Sequence, residues 1–168
     1  MSIPDPGLAK VADSLGQKLQ RDTLVQQTTD YLRKTLDVDR VVLYYFYYEW
    51  KGQVTFESLR SDEYSIYGST GADECFNDEY AAMYLEGRVR AIADIETEPI
   101  HPCHKDFLRS IQVRANLVVP ILVNHRLWGL LVAHHCQNRR DWSATDVTEM
   151  LNATEKLATS PAISASDR

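Results

Sequence analysis

Two apolar runs, Ala115 to Leu122 and Leu127 to His134, are separated by little more than the tight turn Asn124-His125-Arg126. Both are rich in leucine and β-branched residues, and so short a connection joins antiparallel neighbours. The pair reads as a β-hairpin. It commits the chain to an antiparallel sheet whose apolar surface has to be covered by something else.

The remaining segments supply the cover. Lys18 to Leu36 repeats Leu19, Leu24, Val25, Tyr31, Leu32 and Leu36 at helical spacing, which predicts one amphipathic helix ended by Asp37 and Asp39. Residues 1–17 read as a loose lead-in. Arg40 to Tyr48 (RVVLYYFYY) has the composition of a buried strand, and Val54 to Leu59 returns antiparallel to it after a turn. Tyr64 to Ala72 reads as loop. Asn77 to Glu86 predicts a short helix stopped by Gly87, Arg90 to Ile95 a short strand, and His104 to Ile111 a second short helix. Ser143 is placed as the N-cap of a final helix reaching about Ala158, with residues 159–168 a flexible tail. The expected fold is α+β: one domain over residues 18–158, with a central antiparallel sheet packed between helices.

At 168 residues and 44% apolar, the chain can bury a sizeable core. Its net charge of −6 argues against wholesale nucleic-acid binding. No apolar run approaches the length of a membrane span, and the N-terminus lacks a basic start followed by an apolar stretch. A cytoplasmic protein is expected. The three cysteines, Cys75, Cys103 and Cys136, are odd in number and widely spaced, which predicts reduced thiols rather than a disulfide framework.

Chemistry concentrates in His101-Pro102-Cys103-His104-Lys105. A thiol at a helix start beside imidazoles is placed to form a thiolate. A second group, Asp73-Glu74-Cys75-Phe76, lies upstream, and Arg88 and Arg90 follow it. Two residues apart on a strand, these arginines would share one face and suit a bidentate grip on carboxylates.

The run Gln112 to Leu122 with Leu127-Trp128-Gly129-Leu130-Leu131-Val132-Ala133-His134-His135 resembles the sheet of the GAF domains of phytochromes and cyanobacteriochromes. Gly87-Arg88-Val89-Arg90-Ala91-Ile92 and Cys103-His104 resemble the bilin-binding version. Asp73-x-Cys75-Phe76 resembles the motif of the dual-cysteine (Asp-x-Cys-Phe) cyanobacteriochrome subgroup. The likeness runs from about Leu19 to Trp142; beyond Asp146 the chain is more polar than the family's last helix.

The resemblance implies a photoreceptor holding phycocyanobilin, or phycoviolobilin formed from it in place. Cys103 would attach to the A ring and His104 would pack on the pigment. Asp73 would accept from the pyrrole N–H groups, and Cys75 would add reversibly at the central C10 bridge, so that a blue-absorbing state interconverts with a green or teal one on 15Z/15E isomerisation. Arg88 and Arg90 would meet the propionates. His134 would enter the pocket, six residues beyond Trp128 as in related domains, and Tyr80 and Tyr84 would line the D-ring side. The domain would be a non-enzymatic piece of a larger signalling protein, with an output module as partner and a homodimer as one assembly. Cys136 receives no role.

Three other readings compete with this one. A zinc site could draw on Cys75, Cys103, His101 and His134, but the ligand pairs at short fixed spacing are missing. A GAF-type free methionine sulfoxide reductase would need a nucleophilic and a resolving cysteine at closer spacing. A non-photoactive GAF sensor of a small ligand such as a cyclic nucleotide would leave both cysteine motifs without a purpose.

Overall fold

The computed structural model describes residues 6–48, 51–70 and 78–166. Their elements, in chain order, are α1 (Pro6–Arg21), α2 (Thr23–Leu36), β1 (Arg40–Tyr48), β2 (Lys51–Leu59), a 3-10 turn (Asp62–Tyr64), α3 (Asp78–Leu85), β3 (Arg90–Ile92), α4 (Pro102–Ser110), β4 (Ala115–Val123), β5 (Arg126–His135), α5 (Ala144–Ala158) and α6 (Pro161–Ser164). The five strands form one antiparallel sheet in the order β2-β1-β5-β4-β3. The expected α+β architecture is the observed one.

Each strand presents alternate residues to opposite layers. Val41, Leu43, Tyr45, Leu117, Val119, Leu131 and Ala133 form one core with Leu19, Leu32, Leu36, Met150 and Leu157 of the long helices. Burying one such leucine contributes about 1.5–3 kcal/mol. Val42, Val118 and Val132 face the other way, where α3 and α4 sit, and cluster with Tyr84. The β4–β5 hairpin closes through Asn124 and His125, both at positive φ (52° and 64°). That is the two-residue turn whose twist matches the strands.

Local chemistry explains where the helices differ from expectation. The predicted helix over 18–36 is two helices, because the Asp22 carboxylate accepts from the Val25 N–H and caps a new start there. Residues 6–21 form α1 rather than a loose lead-in, and Ala12, Leu15 and Leu19 are buried in the main core. The C-terminal segment is likewise tied down. Ile163 of α6 is buried, and the Trp128 indole N–H donates to Ser166 Oγ at 2.8 Å. Strand β3 is shorter than predicted, whereas α4 begins earlier, at Pro102. Ser143 caps α5 as expected, in a reciprocal pair with Asp146.

Candidate functional site

On the face of the sheet opposite the long helices lies a cavity of about 140 Å³, room for the centres of about ten waters. Its floor is Val42, Tyr44, Asn116, Val118, Val132 and His134 from the strands, and α3, α4 and the segment before β3 wall it. The lining is mostly apolar, with a few convergent polar groups, as in small-molecule sites.

Helix α4 brings the Cys103 motif to the rim. Pro102 suits the first helical turn, where its missing N–H costs nothing. His101 caps the helix, its Nδ1 accepting from the Cys103 N–H at 3.1 Å. His101, His104, Phe107, Leu108 and Ile111 all line the cavity. Two bidentate ion pairs tie this region to the segment that follows β3. Arg109 donates to both Glu96 carboxylate oxygens at 2.7 and 2.9 Å. Arg114 grips Asp94 at 2.7 and 2.9 Å, and the Asp94 carboxyl is held down to about 2 by Arg114 first and then by the Glu96 N–H.

Cys103 is disulfide-bonded in this structure, contrary to the expected reduced thiols. Cys136 is a free cysteine, half-buried, with its thiol pushed up by burial.

Both pocket histidines are neutral. Burial, then Arg90 and Arg88, lower His104 to about 4, and its Nε2 is buried without a hydrogen-bond partner. His134 is 4% exposed and lies well below its ordinary value, chiefly through burial, with Arg40 and His104 adding to the effect. His135 points away, its Nδ1 3.8 Å from the buried Asp39 carboxylate.

Arg88 and Arg90 both reach the cavity, though by different routes than one strand. Arg90 opens β3, whereas Arg88 lies just after Gly87, whose φ of 96° turns the chain out of α3. The Arg88 guanidinium sits 5.7 and 5.6 Å from the ring centres of Tyr80 and Tyr84. Among the described residues neither arginine pairs with a carboxylate. Tyr80 and Tyr84 also line the cavity, and burial raises the Tyr84 hydroxyl. Asp73 and Cys75 lie outside the described residues.

The structure adds three residues that the sequence reading left out. Asn116 is 2% exposed, lines the cavity and keeps its Oδ1 without a partner. Its signal was a polar residue inside an apolar strand. Tyr44, read as core, lines the cavity with its single hydroxyl proton shared between the Gly52 carbonyl, at 2.9 Å, and that of Thr70. Arg40, 1% exposed, stands behind His134 and donates to its Nδ1 at 2.9 Å.

A family model described as GAF domain matches residues 20–160. The chain belongs to the GAF domain family. An uncharacterised protein of Picosynechococcus is 54% identical over 154 residues, covering 92% of this chain and 94% of that protein. The circadian input-output histidine kinase CikA of Synechocystis is 32% identical over 174 residues, covering 90% of this chain. This GAF domain spans 23% of that kinase's length. Among solved structures, the cyanobacteriochrome TePixJ GAF domain is 30% identical with a TM-score of 0.66, over 79% of this chain and 82% of that one. The phycocyanobilin-bound GAF domain of a cyanobacterial phytochrome is 27% identical with a TM-score of 0.73, over 99% and 97%. Among the described residues no helix is long and apolar enough to cross a membrane.

Proposed function

We propose that this GAF domain is the light-sensing part of a photoreceptor and carries a covalent linear tetrapyrrole, phycocyanobilin or phycoviolobilin, on Cys103. The observation that supports this most is an apolar cavity beside Cys103. It holds two buried, unpartnered polar atoms, His104 Nε2 and Asn116 Oδ1, and two arginines without carboxylate partners among the described residues. Buried polar groups normally find partners. A ligand offering N–H groups and two carboxylates over an extended apolar body fits that set.

When bound, such a pigment supplies light absorption and 15Z/15E isomerisation. The protein's part is attachment, orientation and charge balance. Cys103 would hold the pigment by a thioether to the A ring once a thiol reductant has opened its disulfide, the sulfur adding to one carbon of an exocyclic double bond and solvent supplying the proton to the other. No oxidant is consumed. Arg88 and Arg90 hold the propionates, and His104 and His134 contact the ring system in their neutral forms. Asp73 would accept from pyrrole N–H groups and Cys75 would add reversibly at the central bridge, as the resemblance to the Asp-x-Cys-Phe subgroup implies. Light shifts a two-state pocket, and an output module of a larger protein reads the shift; a homodimer is one assembly that suits this. The domain itself turns over no substrate.

The test is co-expression with bilin-synthesis enzymes and an absorption spectrum before and after blue illumination. A coloured protein whose blue band converts to a green or teal one is expected; a colourless product overturns the reading. The disulfide at Cys103 favours one rival, thiol–disulfide catalysis of the free methionine sulfoxide reductase kind. Thioredoxin-coupled turnover of the free sulfoxide by the pigment-free protein would decide for that enzyme instead.

A further inference from the structure

We propose that Arg40 is a positioning residue: it dictates which nitrogen of His134 faces the ligand, and it joins that choice to the end of the helix that carries Cys103. The ligand side of this statement rests on the function proposed above; the tautomer side does not.

Arg40 and His134 are direct partners across the β1–β5 ladder. Arg40 Nε is 2.9 Å from His134 Nδ1. A guanidinium only donates, so Nδ1 must be the lone-pair nitrogen. A neutral imidazole then carries its single proton on Nε2. His134 is buried against the cavity, so that proton makes it a donor on the ligand side. Among the described residues, Arg40 is what selects between the two tautomers.

The rest of the guanidinium reaches two other segments. Nη1 donates to the Tyr64 carbonyl at 2.8 Å and Nη2 to the Ile111 carbonyl. Ile111 is the C-cap of α4 and itself lines the cavity. One rigid, planar fork therefore ties β5, the 3-10 turn and the far end of the attachment helix together. Lysine, a point charge on a flexible stem, cannot hold three acceptors in that plane. A displacement of α4 would pull on the guanidinium and so on the hydrogen bond that orients His134.

The test is two-bond ¹H–¹⁵N correlation of the imidazoles in uniformly labelled, pigment-free protein at pH 7, with His134 assigned by the signals lost in His134→Gln. The expected wild-type pattern is a neutral ring protonated at Nε2. Arg40→Lys should convert it to a mixture of tautomers or to the Nδ1–H form. A wild-type ring protonated at Nδ1, or an unchanged pattern in folded Arg40→Lys, overturns the proposal. Should that variant not fold, the wild-type Arg40 Nε–H signal decides. Exchange with water much slower than for exposed arginines supports the clamp, and exchange at their rate overturns it. In pigment-loaded protein, Arg40→Lys should shift the absorption maximum; an unshifted maximum removes the ligand half. Failure of the wild type to take up pigment would sink the proposed function and leave the tautomer result standing.

Discussion

Trp128 and His134 lie six residues apart on one strand yet face opposite sides of the sheet. Trp128 packs into the helical core against Tyr45, ring centres 5.0 Å apart, whereas His134 lines the cavity. An unbroken strand would put both on one face. Pairing shows the cause: Ile121 opposes Gly129 but Leu122 opposes Leu127, so Trp128 is an extra residue that inverts the alternation. Gly129 beside it admits no side chain, because a Cβ there would lie 2.1 Å from the Tyr44 carbonyl oxygen.

Trp128 therefore serves the core and not the pocket. Trp128→Ala should cost about 3–5 kcal/mol of stability, read from urea unfolding, while pigment-loaded protein keeps its absorption maximum. A shifted maximum would mean that the two sides of the sheet are coupled.

Cys103→Ala should abolish attachment, so that no colour stays with the protein in acidic urea. The disulfide adds a condition: apoprotein treated with a thiol reductant should take up bilin faster than untreated protein. Equal rates would show that the bonded form does not limit attachment.

Cys75→Ala should remove the blue-absorbing state and leave a longer-wavelength pigment still bound. A variant spectrum matching the wild type would make Cys75 a bystander.

Acid should weaken the fold before its carboxylates titrate. His104 is held at about 4 in the folded protein against 6.5 ordinarily, so between those values the unfolded chain binds more protons. Its stabilising share is complete above pH 6.5 and is lost as pH falls towards 4, on the order of 2 kcal/mol. His134 acts in the same direction. Urea midpoints of pigment-free protein at pH 7 and pH 4.5 measure the loss, and His104→Phe should reduce it.

Asn116 should show a trade between stability and binding. Its orphaned Oδ1 burdens the pigment-free fold, so Asn116→Leu should leave that fold as stable or up to about 1–3 kcal/mol more so. The same change should shift the spectrum or lower the yield of loaded protein. A large loss of stability without pigment would show that the amide is satisfied in the empty pocket.

The residue order alone specifies the sheet and its helical cover, because side-chain period and turn chemistry are local. The 115–135 hairpin, the Ser143 cap and the Gly87 stop all declare themselves within a few residues. It also marked out Cys103, His104, Arg88, Arg90 and His134 through a pattern shared with a family. Contacts between distant segments set the rest. The break at Asp22 is sealed by Ser160, whose hydroxyl donates to its carboxylate at 2.6 Å from the far end of the chain. Arg40 and Asn116 read as strand residues until β1, β4 and β5 bring both to His134, because alternation along one strand says nothing of which neighbours will face a residue across the sheet.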